Sequence, residues 1–151
     1  MLHKKIESIL PLVQKPARYT GGELNSVVKD KNNVDIRFAF CFPDTYEIGM
    51  SHLGLKILYG LINSKENYWC ERVFAPDTDM EEVMRKNNIP LFGLESHDSL
   101  KDFDAVGFTL QYELSFSNVL NMLDLAGIPV RSENRGDSLK DNPIIVAGGP
   151  C

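Results

Sequence analysis

Apolar and polar residues change period along this chain, and the changes mark out its elements. Over 34–42, Ile36, Phe38, Phe40 and Phe42 alternate with Arg37, Ala39 and Cys41. That two-residue period predicts a strand. The intervening set loses its charge after Arg37, so the later half is expected to be buried on both faces. Over 49–62 the period lengthens: Met50, Leu53, Leu55, Ile57, Leu58, Leu61 and Ile62 fit one helix packed on a sheet. Gly54, a poor helix residue, is expected to allow close approach of that helix to the sheet or a ligand. A second strand is predicted over 69–74, ended by Pro76. Asp77 and an acidic first turn predict a helix running to Lys86. Further on, the pattern predicts a short strand over 90–95, a buried strand over 104–110 and a helix over 115–125 with Gly127 just past its end. A short strand over 128–130, a polar surface loop over 131–142 and a last buried strand over 144–147 complete the series. Before residue 34 lie a short helix over 4–13, a loop over 14–22 and a short extended piece over 23–29.

Strands alternate with helices, and several strands are almost uniformly apolar. This predicts an α/β fold with a flavodoxin-like or Rossmann-like, mostly parallel sheet and helices on both faces. Residues 1–33 form an N-terminal extension and 34–151 the α/β domain. A parallel strand of this class normally leads into a covering helix, whereas the last one runs into Gly148-Gly149-Pro150-Cys151. The chain is therefore expected to be a fragment of a longer protein.

Composition narrows the function classes. At 151 residues, 43% apolar and 25% charged, the chain belongs with folded globular domains. A net charge of −5 argues against nucleic acid or an anionic membrane as partner. No run approaches the roughly 20 apolar residues that span a bilayer. The N-terminus lacks the apolar core of a signal peptide, so a cytoplasmic location is expected. Cys41, Cys70 and Cys151 are scattered, which argues against a disulfide framework or structural zinc. His3, His52 and His97 have no metal-ligand spacing; His52 is expected to be a partly buried structural residue, with cobalt ligation the less favoured reading. Neither a phosphate loop nor a serine nucleophile elbow is present.

The candidate chemistry lies where the first strand gives way to helix. Asp44-Thr45-Tyr46-Glu47-Ile48-Gly49 follows the strand directly. In open α/β sheets ligands bind beyond the carboxyl ends of the strands. The bland reading is a cap at Asp44 and tight packing at Gly49. Thr109 and Gln111 stand at the end of a later strand and Gly148-Gly149 at the end of the last. Glycine at such a point lets a flat ligand approach the backbone.

Together these positions resemble the cobalamin-binding domains of the methionine synthase and methylmalonyl-CoA mutase type. There the first strand leads to D-x-H-x-x-G, a later strand to a small hydroxyl residue, and a long strand to Gly-Gly. Asp44, Tyr46 and Gly49, then Thr109, then Gly148-Gly149 match in order. A closer resemblance, nearly chain-long, is to the N-terminal region of an uncharacterised family of radical SAM proteins. It rests on 15–26, 42–54 and 110–115, and on Asn121-Met122-Leu123-Asp124-Leu125-Ala126-Gly127-Ile128-Pro129 and Ala147-Gly148-Gly149-Pro150-Cys151. That family carries a cobalamin-binding-like domain ahead of a barrel with a C-x-x-x-C-x-x-C motif.

The resemblance implies a non-catalytic module that binds cobalamin and presents it to a downstream radical SAM domain. Asp44, Thr45, Tyr46, Gly49, Thr109, Gln111, Gly148 and Gly149 are its implied contacts. The cluster motif is absent here, so the [4Fe–4S] cluster and S-adenosylmethionine are expected only in the downstream domain, which is the implied partner. Tyr46 stands where those cobalamin-binding domains have their cobalt-ligating histidine, and a phenol with a pKa near 10 is a poor ligand at neutral pH. The alternative is a degenerate scaffold that binds no cofactor and docks its partner.

Overall fold

A computed structural model describes residues 2–136, 138 and 141–151. Its sheet has four parallel strands: β1 (Ile36–Phe42), β2 (Tyr68–Phe74), β3 (Ala105–Thr109) and β4 (Ile144–Gly148). Their order is β2-β1-β3-β4, with every adjacent pair parallel. The sheet is therefore flavodoxin-like, and its switch point lies between the carboxyl ends of β1 and β3. The helices are α1 (Leu2–Ile9), α2 (Tyr46–Ser51), α3 (Leu53–Asn63), α4 (Thr78–Lys86) and α5 (Phe116–Leu125).

Register divides the strand residues between two cores. Phe40 is level with Arg72 on β2 and Gly107 on β3, and Gly107 with Val146 on β4. On that face Phe40, Phe42, Cys70 and Phe74 pack with Leu55 and Tyr59 of α3. Ala39, Cys41, Val73, Val106 and Phe108 point the other way. They meet Ile6 and Ile9 of α1, Met80 and Met84 of α4, and Met122 and Leu123 of α5. The apolar alternation of β1 is thus divided between two helical layers, as a sheet covered on both faces requires.

A buried ionic group lies toward the start of the strands. Arg37 Nη2 donates to Glu71 Oε1 at 2.6 Å, and Arg37 Nη1 pairs with Asp98 at 3.0 Å. The other Glu71 oxygen accepts from Ser96 N at 2.9 Å. The guanidinium also lies 4.5 Å from the Phe103 ring and 4.9 Å from Trp69.

The two edges of the sheet differ. Along β2, Asn63 brackets the N–H and C=O of Cys70, both at 2.9 Å. Arg72 N donates to Glu95 at 2.8 Å, and Arg72 O accepts from Leu94 N at 2.9 Å. Such partners block edge-to-edge pairing. β4 has β3 on one side and no strand on the other among the described residues.

Several predicted elements take other forms. The single helix expected over 49–62 is two, because His52 has extended backbone (φ −76°, ψ 115°) and caps α3. Gly54 packs under the His52 ring and not against the sheet. Residues 90–95 form no strand: Leu91, Phe92 and Leu94 enter the cores, and the backbone makes one antiparallel bridge, Phe92 to Ser99. Over 128–130 the chain closes α5 through Ile128 N to Leu123 O, at 2.9 Å. The piece 23–29 is held by side chains and makes no ladder: Val27 N donates to Tyr59 Oη at 2.7 Å, and Trp69 Nε1 to Val27 O at 2.9 Å. β4 is largely exposed where burial was expected: only Ile145 is partly buried, packed against the α1/α4/α5 core. Of the loop expected over 131–142, residues 137, 139 and 140 lie outside the described residues.

Candidate functional site

A cleft of about 480 Å³ opens at the switch point, on the α2/α3 face between α3 and the β3–β4 pair. The Phe38 and Phe40 rings form its floor. His52 and Leu58 line the helix side, and Val146 and Gly148 the strand side.

A polar relay crosses the mouth. Leu55 N donates to His52 Nδ1 at 3.1 Å. Nδ1 is therefore an acceptor, and the proton sits on Nε2, which donates to Gln111 Oε1 at 3.2 Å. Gln111 Nε2 in turn donates to Thr109 Oγ1 at 2.5 Å. Three elements, α3, β3 and the loop after β3, thereby fix one another. Gly149, with φ 154°, closes the strand side, and any Cβ there would overlap the Leu110 carbonyl. Only glycine suits that close passage.

The loop after β1 is tied to the same mouth. Asp44 accepts from its neighbour Thr45 N at 2.7 Å and from the Tyr112 hydroxyl. That second bond pushes the Tyr112 phenol up to about 12. Asn118 of α5 donates to Pro43 O at 2.9 Å, holding the turn from below. Asp44 does not cap α2: the cap position is Thr45, whose side chain makes no capping bond.

The expected site residues divide into two groups. Thr109, Gln111, Gly148 and Gly149 line the cleft, and Asp44 meets Tyr112 near it. Tyr46 and Gly49 turn toward β2. The Tyr46 hydroxyl donates to Glu23 at 3.1 Å, and its ring meets Phe74 edge-on at 5.5 Å. Burial and the Glu23 carboxylate both raise the Tyr46 pKa, which keeps the phenol protonated. Gly49 packs between Phe74 and Phe42, where a side chain would overlap the Phe74 ring. Thr45 serves the start of α2. His52, expected as a structural histidine, is both a cap and a cleft residue. Its cap role was not legible, because His52 falls inside the apolar run over 49–62 that the periodicity predicts as one helix.

The donor set bears on a cobalamin-type cofactor. The apolar floor and the Gly148–Gly149 edge offer the kind of surface a flat macrocycle would need, but among the described residues lining the cleft no side chain is free to ligate its metal. Tyr46 faces away, and both nitrogens of His52 are occupied. Among the described residues no group of three His, Cys, Asp or Glu side chains stands ready for a metal ion. Cys41 and Cys70 are buried, and burial raises both thiols well above their ordinary range. They are inert core residues. No helix among the described residues is long and apolar enough to cross a membrane.

Residues 54–151 match a family model described as radical SAM proteins, N-terminal. The chain is 30% identical over 115 residues to uncharacterized protein MJ0966 of Methanocaldococcus jannaschii. The aligned part is 75% of this chain and 19% of that relative, so the chain spans about a fifth of the relative's length. No solved structure matches the chain. The family model covers most of the chain, including all of α3 but its first residue, all of β2 to β4, and Gly148 and Gly149 of the cleft, and the chain belongs to the N-terminal family of radical SAM proteins.

Proposed function

We propose that this chain is an accessory module that docks the radical SAM domain following it in the full-length protein. The open β4 edge and the apolar surface beside it carry this reading. Leu53, Ile57, Leu58 and Leu61 are exposed on α3 at helical spacing, with Leu58 turned to the cleft. Ile144 and Val146 of β4 are each 48% exposed next to it. A contiguous apolar surface of this kind marks an interaction site, and an unpaired strand edge is a template for further pairing. The opposite edge is sealed, so contact is directed to this side.

The switch-point cleft lies within the same surface and favours a second reading. A cobalamin held there without a protein ligand to its cobalt would rest on Phe38 and Phe40 and border Gly148–Gly149. It would then sit at the junction of the two domains. Such a cofactor supplies alkyl-transfer or radical chemistry when bound, while this chain's part would be to position it and exclude water.

The test mixes this chain with the separately expressed remainder of the protein and follows association by calorimetry, with and without hydroxocobalamin. Association is expected, and Ile57→Glu with Leu61→Glu should weaken it while leaving the chain's own unfolding transition in place. Failure to associate, or association unaffected by the double variant, overturns the docking reading. Absence of saturable absorbance changes with hydroxocobalamin in the assembled protein overturns the second.

A further inference from the structure

A separate cavity of about 550 Å³ lies over the β2 side of the sheet, between residues 23–27 and α3. Its size falls within the range of small-molecule sites. Val27, Met50, Leu55 and Tyr59 supply apolar walls, Gly60 lies on the helix side, and Arg72 closes the base. Leu55, whose backbone N–H begins the switch-point cleft's polar relay, is shared between the two spaces, while His52, Thr109 and Gln111 line only the cleft.

Arg72 is 4% exposed, and its donors are unequally satisfied. Nε donates to Glu95 at 2.7 Å, and Nη2 donates to Glu23 at 3.1 Å and to Ser26 Oγ at 2.8 Å. Among the described residues Nη1 reaches only the Met50 thioether, at 3.5 Å. A thioether is a weak acceptor. A buried guanidinium thus retains strong donor capacity beside a ligand-sized space, where unmet donors are costly. Two carboxylates, Glu23 and Glu95, already flank the Arg72 guanidinium, and Lys56 is the other cation lining the cavity. A third carboxylate in this place would meet two like charges, whereas a neutral oxygen would not. The guanidinium packs over Tyr59 at 4.5 Å, and Met50 and Val27 complete an apolar surround suited to a ring.

We propose that this cavity binds an uncharged planar molecule carrying a carbonyl or amide oxygen, with that oxygen on Arg72 Nη1 and the ring against Tyr59, Met50 and Val27. Nicotinamide and nicotinate, which share a shape and differ in charge, separate this from simple apolar binding. In a ¹H–¹⁵N NMR titration of the 151-residue chain, nicotinamide should shift the Val27, Tyr59 and Gly60 amides saturably. Nicotinate should bind roughly tenfold more weakly or worse. A Cβ at Gly60 meets nothing within 4 Å, so this position accepts side chains without strain. Gly60→Phe, which fills the cavity, should abolish binding, and Gly60→Ala should keep it; either residue is a better helix former than glycine. The proposal is overturned by any of three results: no saturable shifts with nicotinamide, nicotinate binding as tightly, or Gly60→Phe binding unchanged.

Discussion

Glu95 shows how one buried side chain makes this fold sensitive to pH. Burial pushes its carboxyl up to about 7, and the nearby Arg72 only partly opposes that rise. An acid with a raised folded-state pKa holds its proton more tightly when folded. Its contribution to stability is then fully present below about 4.5 and is lost as pH rises to about 7. The unfolding free energy of the wild type, relative to Glu95→Gln, should fall across that window and level off above it. Denaturant unfolding at several pH values checks this, and a difference that stays constant from pH 4.5 to 7 would contradict it. Nothing in the sequence around Glu95 marked it, because its neighbour Arg72 is 23 residues away and they meet only through the fold of the 91–97 loop. Tyr46 was equally opaque. Its position in the motif was plain, but its direction is set by Glu23 in the extension.

Among the elements, α3 joins stability to the site. His52 ends α2, caps α3 and anchors Gln111, so one side chain positions the helix and the cleft mouth together. His52→Ala should lower stability by about 0.5–2 kcal/mol through loss of the cap. His52→Asn, which can still accept from Leu55 N, should recover most of it. Equal losses in both variants, measured by chemical unfolding, would show that the ring's packing on Phe42 matters and the cap does not. β1, β3 and β4 were legible as alternating or apolar runs bounded by turn residues, and β2 by the aromatic and apolar residues on either side of Glu71 and Arg72. The strands expected over 90–95 and 128–130 were not real for a matching reason: an apolar run records burial, and buried residues can be loop when their backbone groups find partners elsewhere. The exposure of β4 was illegible too. Val146 has the residue type of a covered strand, and its sequence cannot show that one face lacks a helix.

Across the whole molecule, the extension binds the sheet on both sides. Ile6, Ile9 and Val13 enter the α1/α4/α5 core, while Val27 packs in the α2/α3 core. Between them, Arg18 ion-pairs with Glu47 at 2.9 Å and with Asp77 at 2.5 Å. Composition predicted an extension; it did not predict a clasp, because its partners are distant in sequence. Burial of Ile6, Ile9 and Val13 contributes roughly 1.5–3 kcal/mol per side chain, a large share of the roughly 5–15 kcal/mol that holds a domain folded. Deleting residues 1–30 should therefore leave a chain without a cooperative thermal transition. Retention of the full-length melting temperature would show the clasp to be ornamental.

That clasp also sets an order of events during synthesis. Gln14 N bonds to Asp79, 65 residues later, and His3 meets His97, 94 residues later. Residues 3–14 are made well before these partners and are thus among the last parts of the domain to find their place. Until about residue 97 has emerged, their apolar side chains have no finished surface to join. Until then the nascent chain must carry Ile6, Ile9 and Val13 exposed, the interval in which a chaperone would find the domain most vulnerable.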